Sequence, residues 1–260
     1  TLEQLFLREA QILSQLRSED ILRAHDHGRA KCPKDGRERP YMVVDFLRGH
    51  TLADEIDVRR ARKDRYALAE VVELLEPIAR ALAASHAAGV VHRDVNPRNI
   101  FLEELADGRI RAKLIDFGFA KTVTQTVSAL NVQRVNATLM ARSPDYSAPE
   151  HYDREKYGEL SEMTDLYTLA LVMVEALTLS SPLRGATTEQ LFECTANPSE
   201  RPSPRTRGAT LGDAAEALFL HALAVDQFER PTSVLAWYEE LKEVATRESA
   251  PPPAPEAQRA

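Results

Sequence analysis

The sequence predicts an α+β fold weighted towards helix, on three observations. Apolar residues recur at three- and four-residue spacings over 2–16 and 67–88, and again in four segments after residue 163. Short strand-like runs at 41–44, 100–102 and 113–115 lie between those segments, the last two flanking an Asp107-Gly108 turn. At 260 residues the chain is long enough for one large core or two modest ones.

The first helix carries Leu2, Leu5, Phe6, Ile12, Leu13 and Leu16 on one stripe. Glu9 falls within that stripe, so its carboxylate must either sit solvated at the edge or find a partner. The runs 21–24 and 41–44, separated by a polar loop through Asp35-Gly36, suggest two small strands. Val71, Leu75, Ile78, Leu82 and His86 share one face of the 67–88 helix, which Gly89 is placed to end. His86 reads there as a packed or capping histidine. A long loop rich in Thr, Ser and Asn fills 119–147, and further helices are expected near 164–179, 187–195, 212–224 and 231–246. The last segment, APPPAPEAQRA, reads as a Pro-rich linker or tail.

Composition excludes several function classes. The chain is 43% hydrophobic and 28% charged, ordinary for a globular protein. A net charge of −7 without any Lys/Arg run argues against nucleic acid as a partner. Cys32 and Cys194 lie far apart and form no metal-ligand spacing, which suits two free thiols in a reducing compartment. The longest apolar run, within 166–179, is broken by Tyr167, Thr168, Glu175 and Thr178, so it is too short and polar to span a bilayer. No signal-peptide pattern is visible. The helical pattern begins at once after Thr1, as in a fragment of a longer chain.

Three motifs stand in fixed order. His92-Arg93-Asp94 with Asn99 follows the long helix; Asp116-Phe117-Gly118 follows a strand; Ala148-Pro149-Glu150 closes the Ser/Thr-rich loop. Each triplet alone is weak, but the ordered set in this context is specific. On these motifs, residues 1 to about 247 resemble a eukaryotic-like (Hanks-type) serine/threonine protein kinase domain, with YMVVDFLRGHTL and FERPTSV closest to bacterial members. The resemblance implies a protein-kinase-like two-lobe fold, mainly the α-helical C-lobe plus a partial N-lobe of one helix and two to three strands. Its divisions would be 1–47 for the partial N-lobe and hinge, 48–247 for the C-lobe, and 248–260 for the tail.

The resemblance also implies roles, with ATP and Mg2+ as cofactors. Asp94 would orient or deprotonate the acceptor hydroxyl, and Asn99 and Asp116 would hold magnesium through hard oxygen ligands. Gly118 would let the backbone turn after Asp116 and Phe117. Asp165 would hold the backbone of His92 and Arg93, while Glu150 and Arg230 would form a buried ion pair. Val44 would guard the back of the nucleotide site, with Asp45, Phe46 and Leu47 as the adenine-facing hinge. Phe101 would be the adenine floor, where Leu is more usual. Glu9 matches the glutamate that pairs with a lysine on the family's third strand. No Gly-x-Gly occurs in the chain, so the phosphate-covering loop and that lysine are expected upstream of Thr1, and this chain alone is expected to transfer phosphate hardly at all.

Ser143 aligns with the family residue that helps set Ser/Thr acceptors, although Arg142 stands where a Gly is usual. Arg93 is the residue a phosphorylated loop would engage, and Thr122, Thr124, Thr126, Ser128 and Thr138 are candidate phosphosites; such loops are also rich in Thr and Ser for turn chemistry alone. Asn96 occupies the place of a phosphate-supporting lysine. Arg98 offers a compensating fork of donors, so that Arg98 rather than Asn96 should carry transfer and a lysine at 96 should restore part of its loss. The expected function is a serine/threonine protein kinase acting on protein substrates, with a kinase dimer as a further partner. The alternatives are a pseudokinase scaffold and, less favoured by the Ala148-Pro149-Glu150 loop, a small-molecule phosphotransferase. The expected location is cytoplasmic, with any membrane anchor beyond residue 260.

Overall fold

The computed structural model describes residues 2–117 and 144–249. Helix α1 (Leu2–Gln15) leads into an antiparallel hairpin of β1 (Ala24–Lys31) and β2 (Glu38–Val44). A second antiparallel sheet orders β3 (Gly49–Thr51), β4 (Ile100–Glu104) and β5 (Ile110–Leu114). Between β3 and β4 come α2 (Leu52–Arg62) and α3 (Leu68–Ala87). After residue 143 follow α4 (Pro149–Tyr152), α5 (Arg154–Tyr157), α6 (Glu162–Thr178), α7 (Thr188–Thr195), α8 (Asp213–Ala222) and α9 (Val234–Ser249).

Every residue from 164 to 178 on α6 is buried, which makes it the axle of the helical part rather than an amphipathic surface helix. Two of the threonines in that run are satisfied within the helix: the Thr168 and Thr178 hydroxyls donate to the Thr164 and Val174 carbonyls. Leu75, Ile78 and Leu82 of α3, Leu169 of α6 and Phe219, Trp237 and Tyr238 of α8 and α9 complete the core, each burial contributing roughly 1.5–3 kcal/mol. The Tyr238 hydroxyl donates to the Val72 carbonyl at 2.7 Å, tying α9 to α3.

The structure differs from the sequence expectation at three places. The first strand runs over Ala24–Lys31, not 21–24; Ile21 instead forms an isolated bridge with Leu114. Its HDHGRAK stretch is largely solvated and therefore carries no hydrophobic alternation to read. Strands β4 and β5 extend closer to the turn than the apolar runs suggest. Finally, β3 and α2 carry no strong periodic signal, since α2 buries only Leu52 and Ile56. Their local cues are the Thr51–Asp54 capping box and Gly49, whose φ of 137° brings the backbone so close to the Leu102 carbonyl that a Cβ would lie 1.9 Å from it.

Candidate active site

Helix α3 ends at Ala87, and Gly89, with φ 72°, turns the chain into the 90–99 loop beside the N-terminal turn of α6. There the buried Asp165 carboxylate accepts three hydrogen bonds. His92 N–H and His86 Nε2 reach Oδ2 at 2.7 and 2.8 Å, and Arg93 N–H reaches Oδ1 at 2.7 Å. His86 thus does more than pack. The His92 ring packs at a tilt against Phe117, with ring centroids 4.6 Å apart, accepts the Asp94 N–H at Nδ1 (3.3 Å) and turns Nε2 to the Ile115 carbonyl (3.4 Å). Burial pushes its pKa below the ordinary value, opposed by the nearby Asp165 and Asp94 charges.

Arg93 adopts φ 69°, a left-handed conformation unusual for a side-chain-bearing residue. Asp94 follows, nearly buried, with its carboxylate Oδ2 accepting the Asn99 amide at 2.9 Å. The Asn99 amide nitrogen also donates to the Asp94 carbonyl at 2.8 Å, so its oxygen is the atom left for a cation. Asn96 is 2% exposed: Nδ2 donates to the Asp94 carbonyl and Oδ1 caps the Arg98 N–H, closing the short 3-10 turn Pro97–Asn99. Its side chain is a staple within the loop. Arg98 is exposed, and its charge helps keep the Asp54 carboxyl low, after the larger effect of the Thr51 hydrogen bonds.

Asp116 leaves β5 two residues after Leu114 with an exposed side chain and φ 56°. The Ile115 N–H donates to the Asn99 carbonyl at 2.9 Å, so the strand end and the loop are joined immediately beside both oxygen-bearing side chains. Phe117 is fully buried beneath them. Gly118, Ser143 and the candidate phosphosites Thr122, Thr124, Thr126, Ser128 and Thr138 lie outside the described residues. Glu9 lies on α1, and its side chain also falls outside the described residues.

Glu150 and Arg230 form a bidentate pair at 2.6 and 2.9 Å with both side chains fully buried. Thr164 Oγ1 supplies a third donor to Glu150, and Arg230 lies over the Tyr167 ring. Val44 is half-buried against the core, and Asp45 bonds His25 Nε2 at 2.5 Å while its N–H meets the Arg23 carbonyl. Phe46 projects almost wholly into solvent; Leu47 and Phe101 are half-buried, Phe101 pairing across the sheet with Thr51.

Beside the loop lies a cavity of about 550 Å³ lined by Arg98, Arg60, Asp57, Asp145, Tyr146 and Glu175 among others. Arg60 serves both Asp57 and Glu175, and Tyr146 donates to Glu175. Burial raises the pKa of Glu175 and of Asp145. Sequence reasoning missed these partners, as it missed His151, whose ring reaches the Arg93 carbonyl at 3.3 Å. Each is an ordinary residue type whose partner is distant in sequence.

A helix-dominated α+β domain thus carries Asp94 and Asn99 on one tight loop and Asp116 just past the adjoining strand end. The family model described as the protein kinase domain matches residues 1–243, and the chain belongs to that family. Serine/threonine-protein kinase A of Synechocystis is 30% identical over 258 residues, covering 95% of this chain and 46% of its own length. Serine/threonine-protein kinase pkn3 of Myxococcus xanthus is 28% identical over 244 residues, covering 92% of this chain and 41% of its own. The chain thus spans less than half the length of these curated relatives. The solved PknI kinase domain of Mycobacterium tuberculosis matches with a TM-score of 0.63 at 23% identity, over 93% of this chain and 79% of that one, a likeness of fold. Among the described residues no helix is long and apolar enough to cross a membrane.

Proposed function

We propose that this chain carries the catalytic centre of a serine/threonine protein kinase, moving the γ-phosphoryl group of ATP to Ser or Thr hydroxyls of protein substrates. One observation carries the reading. Asn99 is clamped on Asp94 through its amide and joined through its carbonyl to Ile115, the residue before Asp116, which supports a shared role for Asp94, Asn99 and Asp116. The names of the relatives support the Ser/Thr class.

Asp94 orients the acceptor hydroxyl and takes its proton. Asn99 Oδ1 and the Asp116 carboxylate form an all-oxygen donor set that fits magnesium, and they would hold it. Magnesium bound there neutralises charge on the nucleotide phosphates. Arg98 supplies the loop's exposed cation, while Asn96 keeps the loop closed. The adenine side falls to Val44, Asp45, Phe46, Leu47 and Phe101. Glu9, on α1, would pair with a lysine.

The test uses the full-length protein with magnesium-ATP and a generic acceptor protein, beside Asp94→Asn. Phosphoserine or phosphothreonine formed by the wild type and lost by at least about a hundredfold in the variant supports the reading. ATP binding with no transfer by the wild type would turn the assignment to a pseudokinase scaffold. Transfer to small molecules alone would turn it to the other phosphotransferase class.

A further inference from the structure

We propose that His151 is a positioning residue of the catalytic loop, holding the Arg93 carbonyl so that Asp94 keeps its place. His151 lies in the first turn of α4 and is 8% exposed. Its Nδ1 accepts the Ala148 N–H at 2.9 Å, which requires a lone pair there. The proton of the neutral ring therefore sits on Nε2, and that nitrogen faces the Arg93 carbonyl oxygen at 3.3 Å.

Arg93 is the residue that needs holding. Its φ of 69° is a conformation that persists only where the surroundings over-determine it. On the amino side, its N–H is gripped by Asp165 Oδ1 at 2.7 Å. On the carboxyl side, the carbonyl that leads directly into Asp94 is gripped by His151. The two clamps come from different elements, α6 and α4, and α4 is itself anchored next door by the fully buried Glu150–Arg230 pair. His151 thereby links the segment around Ala148 and Glu150 to the loop that bears Asp94. The role touches no reacting atom and acts through Arg93.

The rate effect rests on the kinase reading; the ring's protonation pattern does not. Nitrogen-resolved NMR of the full-length protein at about pH 7.5 should find His151 neutral with its proton on Nε2. A proton on Nδ1 overturns the clamp whether or not the protein is a kinase. In transfer assays, His151→Gln can accept from Ala148 and donate to Arg93 with one amide, and should keep kcat within about threefold, whereas His151→Phe should lower kcat about tenfold with KM for magnesium-ATP unchanged. A His151→Phe protein that folds and keeps kcat, or a folded His151→Gln protein that loses as much as His151→Phe, overturns the proposal. If His151→Phe fails to fold, the NMR result and His151→Gln decide. A wild type without transfer strikes the kinase reading and leaves the clamp to be judged by NMR.

Discussion

The Asp165 carboxylate accepts the Arg93 N–H at 2.7 Å, across 72 residues of sequence and from α6, whose residues 164 to 178 are all buried. The same carboxylate takes the His92 N–H and His86 Nε2, so one side chain satisfies three donors around the loop. Replacing it with Ala orphans those donors in a dry site. Asp165→Ala should cost about 3–5 kcal/mol in urea unfolding, since each lost partner leaves a desolvated group behind. A loss below about 1 kcal/mol would mean that solvent or a rearranged loop takes over the role.

The loop staple and the loop cation should separate cleanly. Asn96→Ala removes the cap on Arg98 N–H and should cost about 1–2 kcal/mol of stability. Arg98→Ala, at an exposed site, should leave stability within about 0.5 kcal/mol and lower phosphoryl transfer by the full-length protein about tenfold or more. Asn96→Lys should destabilise without rescuing Arg98→Ala, because position 96 faces the loop interior. This revises the expectation drawn from sequence alone, where a lysine at 96 looked restorative. A harmless Arg98→Ala would remove the cation from its proposed role.

Glu150 and Arg230 make a pair that is costly to break from one side. Glu150→Ala leaves a buried guanidinium without its carboxylate and should lose about 3–5 kcal/mol, read from the thermal or urea transition. A double replacement by Met should cost less than either single change, because no charge is then stranded. Single and double variants of equal stability would contradict that account.

Acid should weaken the fold through His92. Its folded pKa is lowered by burial from the ordinary 6.5, so the unfolded chain takes a proton that the native state refuses. The contribution is complete above about pH 6.5 and is lost as pH falls, at up to about 1.4 kcal/mol per pH unit until the folded pKa is reached. Urea midpoints measured from pH 7 to 5 on the wild type and His92→Gln should therefore fall more steeply in the wild type. Parallel slopes would show that His92 is protonated in the native state.

The long helices were legible because their apolar faces repeat strongly, as in Val71, Leu75, Ile78 and Leu82 on α3. The order of the three motifs made the loop legible too, and the family match covers residues 1–243. What the sequence hid has physical reasons. Strand β1 is mostly solvated, so nothing in it alternates; α2 buries two side chains, too few for a periodic signal. The Arg60–Glu175 pair spans 115 residues and the His151–Arg93 contact 58, and no local rule connects such positions. Asn96 shows the same limit from the other side: its residue type was plain, but its inward direction was not.

In the proposed mechanism Asp94 performs transfer while Asn99 and Asp116 would hold the metal-bound nucleotide. The most direct measurement pairs magnesium-ATP titration calorimetry with single-turnover transfer on the full-length protein and its Asp94→Asn and Asp116→Asn variants. Asp94→Asn should bind magnesium-ATP within about threefold of the wild type yet transfer at least about a hundredfold more slowly, whereas Asp116→Asn should lose the magnesium dependence of binding itself. Transfer by Asp94→Asn at the wild-type rate, or magnesium-dependent binding undiminished in Asp116→Asn, would contradict it.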